Sequence, residues 1–173
     1  DVGFRVGGRL IEVIKDEGDS IKAGELLARI DGDPYRREID QAKGALAAAE
    51  AEYSLKKAGY RQEEIDQAKA TLAQNIASRS NTEKIYKRQD ELVRGGSIAR
   101  QDMETAQSAF EESVQRVKVA EASLRQLEAG FRKEEIEGAA AQVEQSKAAV
   151  ATAELRLADT ELKAPSDGIL LTR

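Results

Sequence analysis

Apolar and small residues recur at steps of three and four from residue 39 to residue 160. In the outgoing half they are Ile39, Ala42, Leu46, Ala49 and Tyr53, followed less regularly by Ile65, Ala68, Leu72 and Ile76. In the returning half they are Met103, Ala106, Phe110, Ser113, Val117, Ala120, Leu124 and Leu127, then Ile136, Ala139, Val143, Ser146, Val150, Ala153, Leu157 and Thr160. This spacing is typical of the buried seam of a coiled coil. The pattern therefore predicts long amphipathic helices over residues 33–162.

Glycine and proline indicate where these helices begin and end. Asp33-Pro34 predicts a helix start, with the aspartate as N-cap and the proline in the first turn. Gly95-Gly96 predicts a stop, after which Ser97 or Asp102 can cap a returning helix. Pro165 predicts the end of that helix. The helices are therefore expected to form two arms joined by a turn near residues 95–99.

An eight-residue motif occurs twice, as AGYRQEEI at residues 58–65 and as AGFRKEEI at residues 129–136. Gly59 lies about 37 residues before Gly96, and Gly130 about 34 residues after it, so folding back at the turn brings two helix breaks side by side. Each arm would have about 60 residues and a length of about 90 Å. A four-helix bundle, with loops at the two breaks, is the alternative, although those loops would be very short.

The two ends of the chain differ from the helical part. Within residues 1–31, glycine stands at positions 3, 7, 8, 18 and 24, which is too often for a helix. The runs LIEVI (10–14) and LLARI (26–30) have the length of short strands between turns. Residues 163–173 contain a Ser-Asp-Gly turn followed by ILLTR, a further predicted strand. Two small β segments are thus expected to flank the helices.

Composition excludes several classes of function. Charged residues make up 34% of the chain, the net charge is −5, and acids and bases alternate as on a solvated helix surface. There is no basic stripe with interleaved aromatic residues, so nucleic acid is not an expected partner. The chain has no Cys and no His, and its adjacent acidic pairs, Glu63-Glu64 and Glu134-Glu135, diverge by about 100° on a helix. We therefore expect no enzyme activity, no metal and no cofactor.

The alanine-rich seam limits the stability of an isolated hairpin. Alanine lets two helices approach closely but buries little apolar area per residue. A two-helix hairpin of this length would be only marginally stable alone, which predicts packing against further copies or against a partner. No run of about 18 apolar residues is present, so no membrane span is expected within the sequence.

Two segments resemble the halves of a biotinyl/lipoyl-like domain: EGDSIKAGELLA at residues 17–28 and LKAPSDGIL at residues 162–170. With a helical hairpin between them, the whole chain resembles the HlyD-type periplasmic adaptors, also called membrane fusion proteins. The doubled break motif is similar to that of the branch associated with ABC exporters. The lysine-bearing hairpin of a true lipoyl domain is replaced here by residues 32–161, so no modification site is expected.

The resemblance implies a mostly α fold with a small β part. A split lipoyl-like domain would comprise residues 1–32 and 163–173. A coiled-coil hairpin would comprise residues 33–162, with a turn near 95–99 and breaks near 59 and 130. It also implies a non-catalytic periplasmic subunit, associated with the inner membrane through parts outside this chain. That subunit would bridge an inner-membrane transporter, of ABC type, to a TolC-like outer-membrane channel in efflux or secretion, as a homo-oligomer and by resemblance a hexamer.

Family members that dock TolC-like channels carry at the hairpin tip an Arg, a Leu four residues later and a Ser seven residues after that. The matching positions are Arg88, Leu92 and Ala99, so the Ser is replaced, although Ser97 lies two residues earlier. The resemblance implies that these four residues form a docking site, in which Arg88 offers several N–H donors. The alternatives are a solvated surface charge for Arg88 and a last seam position for Leu92.

The alternative function is a generic coiled-coil scaffold or oligomerisation module, with unrelated strands at its ends. The two functions differ in one structural expectation. An adaptor requires residues 1–31 and 164–173 to pair into one compact β unit, whereas a generic scaffold leaves them apart. For Gly59 and Gly130, a passive kink between stretches of helix packing is preferred over a functional hinge.

Overall fold

The structure, a computed structural model, describes residues 2–97 and 99–171. Residue 98 of the predicted turn and the end of the last predicted strand, Thr172 and Arg173, lie outside the described residues, as does Asp1. Two compact units are present: the chain up to Leu55 together with the chain from Glu134 onward, and Lys56–Lys133.

Four helices and five short strands make up the chain. The strands are β1 (Leu10–Val13), β2 (Ser20–Ile21), β3 (Leu26–Ile30), β4 (Glu161–Lys163) and β5 (Gly168–Ile169). The helices are α1 (Asp33–Ala58), α2 (Gln62–Arg94), α3 (Arg100–Ala129) and α4 (Lys133–Ala158). All four helices lie between β3 and β4, so in chain order the helical part is inserted within the β part.

The β segments from the two ends of the chain pair with each other in the first unit. β3 lies antiparallel between β1 and β4, and β2 pairs antiparallel with β5. Gly24 N–H donates to Ala164 O at 2.8 Å, and Ala164 N–H donates to Glu25 O at 2.9 Å. Ile21 and Leu27 from the first segment and Ala164 from the second form a buried cluster. The two segments therefore share backbone hydrogen bonds and one small core.

α1 and α4 belong to the same unit as this β part. Their buried positions fall in the predicted seam and are Ile39, Ala49, Ala139, Val143, Ser146 and Ala153. Glu38 and Arg156 form an ion pair between the two helices. The prediction of Asp33 as an N-cap is wrong, because Asp33 is already helical and its N–H donates to Asp31 Oδ1 at 3.0 Å. The carboxylate that accepts a hydrogen bond at the start of α1 is therefore that of Asp31, two residues before the predicted cap.

α2 and α3 pack along each other in the second unit. Ser113 is 1% exposed, and its hydroxyl lies 2.8 Å from Thr82 Oγ1 on the opposite helix. One turn nearer the hairpin end, the rings of Tyr86 and Phe110 stack with centroids 6.0 Å apart. These two contacts fix which residues of the helices lie at the same level.

The seam of α2 differs from the sequence prediction at one position. Ile76 is 46% exposed, whereas the preceding Asn75 is half-buried. Asn75 lies three residues after Leu72 and seven after Ala68, which keeps it on the seam, and Ile76 is turned toward one flank. The prediction of Ile76 as a seam residue is therefore wrong.

Both helical arms are interrupted at the repeated motif. Gly59 and Gly130 adopt left-handed backbone conformations, with φ of +78° and +71°, which glycine reaches without steric cost. Their neighbours Tyr60 and Phe131 stack with ring centroids 5.4 Å apart. Glu64 then accepts a hydrogen bond from the N–H of Arg61 at 3.2 Å, which satisfies a free donor where α2 begins. The two breaks lie side by side within the second unit, the arrangement that the matched repeat predicts.

Val117 and Val119 provide a matched test of the seam. Val117 is 4% exposed and Val119 is 70% exposed on the same helix. Val117→Ala should lower the free energy of unfolding by about 2 kcal/mol, because it removes buried methyl groups and leaves a void. Val119→Ala should change it by less than about 0.5 kcal/mol. Urea denaturation followed by circular dichroism at low protein concentration measures both, and equal losses would contradict the described seam.

Candidate functional site at the hairpin tip

α2 ends in a hydrogen-bonded turn that requires glycine. Ser97 N–H donates to Leu92 O and Gly96 N–H donates to Val93 O, both at 2.9 Å. Gly96 has φ of +70°. This pair of bonds is the Schellman arrangement, which satisfies the last carbonyls of a helix through a left-handed residue. The predicted stop at Gly95-Gly96 therefore has a specific geometry, in which only the second glycine is left-handed.

α3 begins without a side-chain cap. Its N-cap is Ala99, in extended conformation at φ −71° and ψ 145°, and this residue makes no side-chain cap hydrogen bond. The prediction that Ser97 or Asp102 caps this helix is wrong, because Ser97 belongs to the end of α2 and Asp102 lies inside α3. Position 99, where the docking members of the resembled family carry Ser, is thus the N-cap position itself.

Arg88 and Leu92 lie on one exposed face of α2 close to the tip. Leu92 is 38% exposed, and Arg88 precedes it by four residues on the same side of the helix. The seam continues instead through Val93, which is half-buried. The structure therefore places Leu92 outside the seam, against the alternative interpretation of this residue.

Ile85 extends this face and was not identified from the sequence. It is 41% exposed and lies three residues before Arg88 and seven before Leu92. Residues seven positions apart lie on nearly the same side of a helix. The spacing of Ile85 and Leu92 was therefore the sequence signal that could have placed Ile85 on this face. We name Ile85, Arg88 and Leu92 the tip face.

The charges around the tip face are mostly neutralised within their own helix. Three basic side chains near the turn pair with an acid four residues away: Lys87 with Glu83 at 2.7 Å, Arg94 with Asp90 at 2.7 Å, and Arg100 with Glu104 at 3.4 Å. The ammonium of Lys87 donates a hydrogen bond to Glu83 and holds the pKa of that carboxyl below its usual value. These side chains have their partners already.

Arg88 differs from these neighbours. Among the described residues it makes no hydrogen bond or ion pair. The positions four residues before and after it, Lys84 and Leu92, offer no acid, and Glu91, three residues later, does not pair with it. Its guanidinium is exposed and keeps its full set of donors for another molecule. A free arginine between two exposed apolar residues combines directional donors with apolar contact area.

The described residues contain no cluster of three or more His, Cys, Asp or Glu side chains that could hold a metal ion. In the same residues, no helix combines the length and the apolar character needed to cross a membrane. The groups that the tip face exposes are a guanidinium and two aliphatic side chains.

Comparison with known proteins assigns the helical part to a family. Residues 30–159 match the family described as the YBHG alpha-helical hairpin domain. The chain belongs to this family. Over all 173 residues the YBHG-type chain is 42% identical to the UPF0194 membrane protein of Enterobacter sp. (strain 638) and 43% identical to the UPF0194 membrane protein YbhG of Salmonella arizonae. It covers 52% of each, so the chain spans about half the length of these curated relatives.

The fold is also that of a solved adaptor. The structure of the periplasmic adaptor protein EmrA matches 99% of this chain and 65% of its own, with a TM-score of 0.50 and 22% sequence identity. At this level of identity the comparison shows a shared fold. The resemblance in fold to a periplasmic adaptor is confirmed, and so is the fold class of a long antiparallel hairpin inserted between two halves of a lipoyl-like β domain.

The two glycines of the tip should respond differently to substitution. Gly96→Ala should lower the free energy of unfolding by about 1–2 kcal/mol, because an L-residue is strained at φ of +70°. Gly95 has φ of −81°, so Gly95→Ala should leave stability unchanged or raise it by up to about 1 kcal/mol. Thermal denaturation of the two single variants compares them, and a larger loss at Gly95 would contradict the described turn.

Position 99 should accept a cap. Ala99→Ser supplies the missing side-chain acceptor at the N-cap and should raise the free energy of unfolding by about 1 kcal/mol. Ser97→Ala is the control, and it should change that free energy by less than about 0.5 kcal/mol because Ser97 is not the N-cap. Chemical denaturation checks both, and destabilisation by Ser97→Ala alone would place the cap at residue 97 instead.

Proposed function

We propose that this chain is the hairpin and lipoyl-like part of a periplasmic adaptor subunit. The subunit bridges an inner-membrane transporter to a TolC-like outer-membrane channel in efflux or secretion, without catalysing a reaction. Its shared fold with an adaptor and the pairing of its two β segments support this function. The generic coiled-coil alternative required those segments to lie apart, and the hydrogen bonds between β3 and β4 and between β2 and β5 argue against it.

The observation that carries the proposed docking role is the unpaired, exposed Arg88 next to Leu92. Three other basic side chains around the turn, Lys87, Arg94 and Arg100, are held by ion pairs within one helix. A free guanidinium costs less to transfer to a partner's carbonyl or carboxylate, since no existing pair must be broken. Leu92 and Ile85 then add apolar area that is removed from water on docking. The tip face would therefore contact the channel, while Ser97 and Ala99 form the turn beside it.

The replacement of the family's Ser by Ala99 is compatible with this role. Because position 99 is the N-cap of α3, the lost hydroxyl affects the stability of the first turn, at about 1 kcal/mol. Arg88 and Leu92 lie on the other helix and keep their exposure without it. Docking through the tip face does not depend on a hydroxyl at residue 99.

The remaining features of the proposed complex follow from the resemblance. The transporter would be of ABC type and the subunit would assemble as a homo-oligomer, by resemblance a hexamer. The subunit would lie in the periplasm and attach to the inner membrane through parts outside this chain. Purification of the full-length protein in detergent, followed by mass measurement, tests the number of copies and the co-purification of an ATPase.

Crosslinking in cells tests the docking role. Ser97→Cys in the full-length protein should crosslink to an outer-membrane channel, because Ser97 lies in the turn. Ala70→Cys is the control: it is an exposed residue of α2, about 36 Å from the end of that helix. It should give no channel crosslink, and equal capture at both positions, or none from Ser97→Cys, would overturn docking through the tip.

The same crosslink reports on the tip face. Arg88→Ala and Leu92→Ala, each combined with Ser97→Cys, should lower its yield about tenfold, as expected of anchors that contribute about 1–2 kcal/mol. Arg88→Lys should lower it too, because lysine keeps the charge but loses the planar set of donors. Both native side chains are exposed, so the helical circular dichroism signal of the three variants should not change. Undiminished crosslinking with both alanine variants would exclude the tip face.

A further inference from the structure

One side chain in the seam of the second unit has a hydrogen-bonding group without a partner. Gln89 of α2 is half-buried, and its side-chain oxygen Oε1 is buried. It is the one buried side-chain oxygen or nitrogen in residues 2–97 and 99–171 that makes no hydrogen bond. A carbonyl that is removed from water without gaining a donor lowers the stability of a fold. The stability of the hairpin therefore does not explain a glutamine at this position.

One hydroxyl pair of the same seam shows how a polar group is satisfied there. The hydroxyls of Thr82 and Ser113 lie 2.8 Å apart. Each also lies within hydrogen-bonding distance of a carbonyl oxygen of its own helix, Arg79 O at 3.0 Å and Phe110 O at 2.6 Å. The seam accommodates these hydroxyls because each has a partner, which Gln89 Oε1 lacks among the described residues.

Gln107 on α3 provides a second comparison, at the level of Gln89. Gln107 lies three residues before Phe110, and Gln89 lies three residues after Tyr86, and the two aromatic rings stack with centroids 6.0 Å apart. Because the helices are antiparallel, the two glutamines are at about the same distance from the turn. Gln107 Nε2 donates to Glu111 Oε1 at 2.8 Å. The two glutamines share a level of the hairpin, but among the described residues only the amide of Gln107 has a partner.

Gln89 lies between the seam and the tip face. Around the axis of α2 it is about 40° from Ile85 and about 60° from Leu92, and both lie on the same side of it. On its other side, Thr82 and Val93 of the seam are about 20° and about 40° away. The tip face therefore begins directly beside Gln89.

A primary amide beside this face can do more than fill the seam. It presents a donor and an acceptor next to each other, the same two groups that a peptide bond presents. The glutamine side chain has several rotatable bonds, so its amide can turn from the seam toward the tip face while the backbone stays in place. A methionine would fill the same unbranched space without an unpaired acceptor. A choice of residue that stability does not favour is typical of functional sites, which indicates a role for the amide in recognition.

We propose that Gln89 is a docking residue of the hairpin tip, whose amide turns onto the tip face and pairs with a backbone peptide group of the channel. The N–H of that peptide group donates to Gln89 Oε1, and Gln89 Nε2 donates to its carbonyl oxygen. Peptide groups are open to such pairing at turns and helix ends, where regular secondary structure leaves them without partners. Docking then satisfies an acceptor that the free hairpin leaves unpaired, which favours the docked state. This inference rests on the proposed function and adds to it the kind of group that the tip recognises.

Gln89→Met in the full-length protein separates recognition from stability. It should lower the yield of the Ser97→Cys channel crosslink about fivefold, because the hydrogen bonds of the amide are lost. It should also raise the midpoint of thermal unfolding by about 2–4 °C, because a buried unpaired acceptor is removed. Crosslinking in cells measures the first change, and the helical circular dichroism signal of the purified protein measures the second. A residue with only a structural role would change both measurements in the same direction.

Gln107→Met is the matched control, because the amide of Gln107 is already paired with Glu111. Its crosslink yield should stay within about twofold of that of Ser97→Cys alone. An unchanged yield with Gln89→Met, or an equal loss with Gln107→Met, would overturn this inference alone. A lowered unfolding midpoint with Gln89→Met would overturn it too, because the seam itself would then satisfy the amide. No crosslink from Ser97→Cys with Gln89 intact would overturn the proposed docking role, and this inference with it.

Discussion

The level at which α2 and α3 meet depends on contacts between their facing side chains, foremost the one between the hydroxyls of Thr82 and Ser113. An apolar seam tolerates sliding of one helix along the other, because alanine and leucine layers pack against neighbouring layers almost as well as against their own. A shift by one turn would break the contact between the two hydroxyls, and each would keep only the carbonyl of its own helix, Arg79 O for Thr82 and Phe110 O for Ser113. The Tyr86–Phe110 stack adds a second fixed layer. The positions of the turn and of the tip face follow from this register.

In the first unit, the pairing of the two β segments holds the beginning and the end of the helical insertion together. α1 follows β3 directly and α4 leads directly into β4, and these two strands pair with each other. The chain therefore leaves and re-enters the β part at adjacent points. The buried cluster of Ile21, Leu27 and Ala164 is small, so backbone hydrogen bonds contribute much of the stability with which the two β segments associate. The lipoyl-like halves need the helical insertion to start and finish close together, which an antiparallel hairpin does.

Much of the fold could be predicted from the periodicity of apolar positions, and the error in the seam of α2 has an identifiable physical cause. The seam of α3 was identified because its buried positions are apolar or small, from Met103 to Leu127. The seam of α2 was misplaced at Ile76 because Asn75 and Thr82 occupy inward positions of this helix. A polar residue can lie inward when a residue on the opposite helix satisfies it, as Ser113 does for Thr82. That information resides in pairs of residues that are distant in sequence, and hydropathy along one helix does not contain it.

The site was predictable in its location but less so in its detail. The glycine pair and the resemblance placed Arg88 and Leu92 near the turn, whereas the N-cap at Ala99 was missed because alanine gives no capping signal. Ile85 was missed because an isoleucine in a coiled-coil helix is expected to lie in the seam, whereas this one is 41% exposed. Whether Ile85 lies in the seam or on the exposed tip face depends on the rotation of α2 about its axis. Contacts with α3 determine that rotation.

The paired breaks at Gly59 and Gly130 have a consequence for how such hairpins change in length. The stacked Tyr60 and Phe131 align the two arms at one end of α2 and α3, and the hydroxyl pair aligns them again further on. A deletion or insertion in one helix alone would bring one of these layers out of alignment. Only matched changes of about seven residues in both helices keep every layer in phase, each altering the length by about 10 Å. The length of the hairpin between the breaks and the turn can therefore change during evolution only in increments of about 10 Å, with both helices changing together.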